Sequence, residues 1–208
     1  MMTSPTALSF VSLNINGTKD KDLQIDELLN FDVVFLQEHL LSKVNTNSLR
    51  RSATHDIFIR EAKKTRGRPS GGTAIFIRSG YQPMQIYSDA NILAIQCNNM
   101  AFVNVYLPCN HRNTQSFTAF AKACHKLKSL FIKFADKNVD WILAGDMNTD
   151  ILTSSDRSEL LLDSLPSVYH VAAKNLAYTY IHNRGSVKSN LDHIIVSKSG
   201  LIKSEVFC

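Results

Sequence analysis

The sequence predicts an α/β domain made of two packed β-sheets flanked by helices. Short apolar, β-branched runs far outnumber stretches with helical periodicity. The helical stretches do not alternate one for one with strands, as a regularly doubly wound sheet would require. The 208 residues, 44% apolar and 20% charged, can bury a sizeable core, so a single domain over 1–208 is expected.

The elements follow in order. Residues 7–15 read as a strand through Phe10, Val11, Leu13 and Ile15, and residues 20–29 as a short helix. Residues 32–38 form an apolar strand that ends in the polar pair Gln37-Glu38, and residues 56–61 another strand. Residues 63–72 are a basic loop rich in glycine, proline and serine, which breaks regular structure. It leads into a clean strand over 73–78. Residues 86–97 and 101–107 read as two strands joined at Asn98-Asn99, a turn pair. Residues 115–135 give the strongest helix, with Phe117, Phe120, Ala121, Cys124, Leu127, Phe131 and Phe134 at three- and four-residue steps. Its lysines fall largely outside that stripe and read as a solvated face. Residues 140–146 form a strand, 158–165 a short helix stopped by Pro166, and 179–182 and 190–196 two further strands.

A net charge of +5 fits a polyanionic partner without requiring one. The four cysteines show no metal-ligand spacing and are too few for a disulfide scaffold, so reduced thiols in an intracellular protein, nuclear or cytoplasmic, are expected. No basic leader precedes an apolar run, and no apolar run approaches the roughly 20 residues that span a bilayer, so no membrane association is expected.

The run Trp141-Ile142-Leu143-Ala144-Gly145-Asp146-Met147-Asn148 is the most informative. A buried strand leads to a glycine, where backbone can turn or approach another chain closely. Asp146 and Asn148 stand two positions apart and project to one side of an extended chain. A carboxylate that accepts a proton from water, beside an amide that holds a phosphate oxygen, suits phosphate-ester hydrolysis. Asn14, Glu38, Tyr106 and Asp192 likewise follow apolar strand residues, and sites built on strand ends hold their geometry well. Each alone has a plain structural explanation: a turn at Asn14-Ile15-Asn16-Gly17, a lysine partner for Glu38, a half-buried core ring at Tyr106, a loop brace at Asp192.

Taken in order, the segments Ser12-Leu13-Asn14-Ile15-Asn16-Gly17, Leu36-Gln37-Glu38, Gly71-Gly72-Thr73-Ala74-Ile75-Phe76-Ile77, Val103-Asn104-Val105-Tyr106-Leu107-Pro108, Gly145-Asp146-Met147-Asn148, Thr179-Tyr180 and Ser189-Asn190-Leu191-Asp192-His193-Ile194 resemble the endonuclease/exonuclease/phosphatase superfamily. Within it they look most like the endonuclease domain of non-LTR retrotransposons. The resemblance implies a four-layered, deoxyribonuclease I-like sandwich of two mixed sheets, and divalent-metal-dependent nicking of DNA. Carried over position by position, it implies Glu38 as the main metal ligand with Asn14 in or beside the shell, for Mg²⁺ with Mn²⁺ as the alternative ion. Asp146 would orient or deprotonate the attacking water, Asn148 and Tyr106 would hold the phosphate, Thr179 would contact it, and Asp192 would orient a histidine. Asn16, Arg66 and Arg68 are the expected substrate contacts. DNA is the implied partner, with a reverse-transcriptase region in a longer parent protein.

The family pattern ends in Ser-Asp-His some twenty residues beyond the Asp192 position, and this sequence has no such tripeptide. His193 is adjacent to Asp192 and belongs to the opposite strand face. The domain is therefore expected to be incomplete at its C-terminus, without its last strand, and to be a weak or inactive nuclease. The competing readings are a phosphatase or phosphodiesterase of the same superfamily and a non-catalytic nucleic-acid-binding remnant.

Overall fold

The computed structural model describes residues 8–64, 67–111, 113–172, 179–181 and 188–197. Strands β1 (Phe10–Asn14), β2 (Val33–Gln37), β3 (His55–Arg60) and β4 (Thr73–Arg78) form one sheet in the order β1-β2-β4-β3. The second half supplies β5 (Met84–Ser88), β6 (Ile92–Cys97), β7 (Met100–Tyr106), β8 (Asp140–Asp146), β9 (His170–Ala172), the two-residue strands β10 (Tyr180–Ile181) and β11 (Lys188–Ser189), and β12 (Asp192–Val196). Six of these make the second sheet, ordered β5-β6-β7-β8-β12-β9, while β10 and β11 form a separate ribbon. Two pairs are parallel, β1 with β2 and β7 with β8. Each needs a crossover, and helices α1 (Asp22–Leu28) and α2 (Thr114–Asp136) supply them. Helix α3 (Asp156–Leu162) packs beside α2.

The four layers follow from alternation along the strands. In β2, Val33 and Phe35 enter the layer between the sheets with Ile75, Leu93, Ile95, Phe102 and Ile142. Val34 and Leu36 face the other way, towards Ile25 and Leu28 of α1. A strand covered on both faces reads as an unbroken apolar run. The outer face of the second sheet packs Val103 and Leu143 under Phe120, Leu127 and Phe131 of α2 and Leu161 of α3. Trp141 meets Phe131 at 4.5 Å between ring centroids.

Several expected elements are redrawn. The expected strand over 86–97 is two strands, because Asp89 caps a turn by accepting from the backbone N–H groups of Asn91 and Ile92. The last expected helix starts earlier, where Ser155 and Ser158 form a reciprocal cap. Phe117 is 39% exposed, so the buried stripe of α2 runs through Phe120, Ala123, Cys124, Leu127, Leu130, Phe131 and Phe134. Strand β9 and a 3₁₀ turn over Thr46–Arg51 are additions that no hydrophobic period announces. Strand β9 pairs with β12, so β12 is not a sheet edge. The first sheet ends on β1, all five residues of which are half-buried. Among the described residues, no helix is long and apolar enough to cross a membrane, and Cys97, Cys109 and Cys124 are free thiols.

Candidate active site

At one end of the sandwich the layer between the sheets turns from apolar to polar. Residues of one parity on each strand face this layer. Phe10, Phe35, Ile75, Phe102 and Ile142 fill its middle, and Ser12, Gln37, Thr73, Asn104, Asn14, Tyr106, Asp146 and Asp192 continue the same faces toward the strand ends. Gln37 and Asn104 are both fully buried. Gln37 Nε2 donates to Ser12 Oγ at 3.1 Å and to Asn104 Oδ1 at 2.8 Å. Asn104 Nδ2 donates to the Leu36 and Ala74 carbonyls at 3.0 and 2.8 Å. An amide of the second sheet is thus bonded to backbone and side chain of the first.

Above this bridge, Asn14 Nδ2 donates to Glu38 Oε1 at 3.0 Å and to Asp146 Oδ2 at 2.9 Å. The Asn14 side-chain Oδ1 accepts from the Asn16 backbone N–H at 3.1 Å. Asn14 therefore spans the two sheets and screens two carboxylates from each other. Glu38 follows the end of β2 with a φ of 51°, in the left-handed region that only a few per cent of non-glycine residues adopt. The turn there sends His39 into the core, where its ring lies against Gly72. A Cβ at Gly72 would stand 2.6 Å from His39 Cε1.

Asp146 and Asp192 face each other in register across β8 and β12. Burial, reinforced by the Asp192 charge and by Glu38, pushes the Asp146 carboxyl up to about 7, against the Asn148 backbone N–H and the Asn14 amide. Burial also raises Asp192, while the Thr179 hydroxyl opposes that rise. Asp192 Oδ1 is buried with no hydrogen-bond partner among the described residues. Burial and the neighbouring Glu38 raise the Tyr106 phenol far above its usual range, so it remains a neutral donor, with Cys109 Sγ 3.7 Å from its oxygen. Asn148 has a φ of 49°; its backbone donates to Asp146 Oδ1 and its Nδ2 to the Leu107 carbonyl at 2.8 Å. Gly145 allows this crowding. A Cβ there would fall 2.0 Å from the Val105 carbonyl oxygen on parallel β7, so the glycine serves a close approach.

The structure brings Asn14, Glu38, Tyr106, Asp146, Asn148 and Asp192 to one end. Thr179 stands beside them as a brace: its Oγ1 accepts from the backbones of Leu191 at 2.8 Å and Asp192 at 3.1 Å. Asn16 and Arg68 meet at the surface, where Arg68 Nη2 donates to the Asn16 carbonyl and to its Oδ1 at 3.1 and 3.2 Å. Arg66 lies outside the described residues. His193 is turned to the opposite face and faces the Thr149 and Asn190 carbonyls. Gln37, Asn104 and Arg157, all buried, are site neighbours that the sequence reading passed over. The advance signal for Gln37 and Asn104 is a polar residue at core parity in an apolar strand; Arg157, which lies before the helix expected over 158–165, has none.

The model of the Endonuclease/Exonuclease/phosphatase family matches residues 11–207. No curated protein matches the sequence. Among solved structures, a 3′ phosphatase, NExo, from Neisseria bound to a product DNA hairpin aligns with a TM-score of 0.71 at 18% identity, over 94% of this chain and 88% of that one. The catalytic domain of Xenopus laevis APE2 aligns with a TM-score of 0.72 at 15% identity, over 93% and 83%. An AP endonuclease from Archaeoglobus fulgidus gives 0.69 at 14% identity, over 91% and 86%. At these identities the likeness is one of fold, and the fold is the deoxyribonuclease I-like sandwich of two mixed sheets flanked by helices.

Proposed function

The chain belongs to the endonuclease/exonuclease/phosphatase family, and we propose that within it the protein is a retrotransposon-type endonuclease that hydrolyses phosphodiester bonds of DNA with Mg²⁺. The observation that carries this reading is the meeting of Glu38 and Asp146, from different sheets, at the Asn14 amide. Members of the family are generally dependent on a divalent metal. The donors fit such an ion. Glu38 is a half-buried hard oxygen donor with Asp146 beside it, although among the described residues no group of three His, Cys, Asp or Glu side chains is placed to hold a metal ion by itself. Mg²⁺ keeps several waters and takes only one or two carboxylates, which Glu38 and Asp146 can supply. Mn²⁺ fits the same oxygens.

Glu38 would hold the cation, and Asn14 keeps the Glu38 and Asp146 carboxylates apart and in place. When bound, the cation supplies charge neutralisation at the phosphate and at the leaving oxygen. Asp146, at about 7, is matched to taking a proton from water near neutrality. Tyr106 donates to a phosphate oxygen as a neutral phenol, and the backbone tie to Asp146 holds Asn148 at the same phosphate. Thr179 acts through Asp192, fixing the start of β12. Arg68, held by Asn16, and Arg66 on the same loop contact the DNA backbone. The parent protein in this reading carries a reverse-transcriptase region.

Asp192 Oδ1, without a hydrogen-bond partner among the described residues, is the acceptor to which a histidine would bond. A group that stabilises transition-state charge is worth on the order of 10²–10³ in rate, so a chain without a histidine at Asp192 should nick DNA slowly. The test is relaxation of supercoiled plasmid in Mg²⁺, alongside a 3′-phosphorylated oligonucleotide and an inositol phosphate. Nicking that stops with chelator and falls by about 10² or more in Glu38→Gln and Asp146→Asn supports the assignment. Undiminished nicking in both variants overturns it. Release of phosphate from the small ester with intact plasmid makes the protein a phosphatase instead.

A further inference from the structure

Arg157 is 6% exposed, yet among the described residues no carboxylate pairs with it. Its Nη1 donates to the Pro108 carbonyl at 2.7 Å, and its Nη2 to the Cys109 and Ser116 carbonyls at 3.1 and 3.2 Å. The guanidinium carbon stands 4.4 Å from the centroid of the Phe120 ring. Burying a cation without a counter-ion is costly, and a core position is filled more cheaply by an apolar side chain. Three carbonyls and an aromatic face offset part of that cost. They do so at one place in the chain, the segment that leaves β7 after Tyr106 and enters the first turn of α2.

We propose that Arg157 is a positioning residue that clamps this segment and thereby sets Tyr106 and Asn148 at the scissile phosphate. The inference rests on the reading of the site given above. The clamped carbonyls belong to Pro108 and Cys109, immediately after Leu107. Leu107 is bonded on both sides to the strand end that carries Asp146. Its N–H donates to the Asp146 carbonyl at 2.9 Å, and its own carbonyl accepts from Asn148 Nδ2 at 2.8 Å. Tyr106 is the preceding residue, with its hydroxyl beside Cys109 Sγ. The planar guanidinium meets three acceptors from one fixed fork, which a lysine ammonium on its flexible stem cannot reproduce. Release of the fork would free residues 107–109 while α2 and α3 stay packed through Phe120, Cys124 and Leu161.

Cys109 reports on the clamp without any assay of catalysis. It is half-buried at the clamped segment, whereas Cys97 and Cys124 are 5% and 0% exposed inside the core. Iodoacetamide labelling, resolved by peptide mass, is compared for wild type, Arg157→Lys and Arg157→Met. Loss of one charge-assisted hydrogen bond should raise local opening about tenfold, so Cys109 labelling should rise by that factor or more in both variants, with Cys97 and Cys124 unchanged. Phosphodiester turnover should fall while KM changes little, and less in Arg157→Lys than in Arg157→Met. Unchanged Cys109 labelling overturns the clamp. So does a joint rise of all three thiols, which would make Arg157 a general core residue. Wild type inert towards every phosphate ester would overturn the proposed function and leave the thiol comparison standing.

Discussion

Asp192 stands directly opposite Asp146 across β12 and β8, and this apposition of two buried acids makes the site a store of unfavourable charge. Their proton belongs to the pair. Asp146 rises from 3.8 to about 7, so the folded protein binds a proton that the unfolded chain has released. The resulting stabilisation is complete below the unfolded value and is lost as pH rises through the folded one. Asp146→Asn should therefore be more stable than wild type at pH 8, by about 1–3 kcal/mol, and the difference should shrink or reverse at pH 5. Urea melts of both proteins at the two pH values measure it. Mg²⁺ should raise the wild-type melting temperature more at pH 8 than at pH 5, because the cation competes with the proton. A difference between variant and wild type that does not change with pH refutes the apposition.

The Gln37–Asn104 amide pair sets the relative position of the two halves of the site. Apolar faces alone leave one sheet free to slide on the other, whereas the directed bonds of Gln37 Nε2 and Asn104 favour one arrangement, with Gln37 Oε1 left without a partner among the described residues. Asn104→Leu alone leaves the Gln37 amide half-stranded, with Ser12 Oγ as its remaining partner, strands two carbonyls, and should cost about 2–3 kcal/mol. Adding Gln37→Leu removes the stranded amide, so the double variant should lose less than the sum of the singles, with a coupling of about 1 kcal/mol or more. Its turnover should still fall by an order of magnitude or more, since about 1 Å of misplacement between Glu38 and Tyr106 is enough to slow catalysis. Additive losses, or a stable double variant with full turnover, would show that the bridge does not set the site.

The strand ends were readable because alternation carries them. Asn14, Tyr106, Asp146 and Asp192 each extend an apolar face into a polar position, and the ordered segments place them together. Glu38 was readable only from its neighbours, because its left-handed backbone takes it out of the β2 period. The role of Asn14 was half readable: its place beside Glu38 was expected, but its second bond to Asp146 joins residues 132 apart in sequence. Thr179 reads as a phosphate contact in sequence and as a brace in space, because its hydroxyl is drawn to two backbone N–H groups. Arg157 had no such signal. Its acceptors are carbonyls of Pro108, Cys109 and Ser116, and carbonyls leave no mark on residue identity.

His39 makes the turn behind Glu38 sensitive to acid. Its Nδ1 accepts from the Leu41 backbone at 3.0 Å, which leaves the ring proton on Nε2, facing the Arg60 carbonyl at 3.1 Å. Burial holds it below its ordinary 6.5, against the Arg60 and Thr73 backbones and the Glu61 charge. The neutral ring's contribution is present above 6.5 and is lost as pH falls towards the folded value, with a slope of about 1.4 kcal/mol per pH unit for one proton. His193, lowered by burial in the same way, adds a parallel slope. His39→Gln should remove the first share and keep the second, so as the pH is lowered below 6.5 the variant should lose less stability than wild type, with the opposing Asp146 titration common to both. Gly72→Ala should act on the same ring at every pH. Its methyl would occupy the space of His39 Cε1 on a backbone with a φ of +92°, at a cost of about 2–4 kcal/mol. An unaltered pH slope in His39→Gln, or a Gly72→Ala protein as stable as wild type, would mean that the ring does not brace the Glu38 turn.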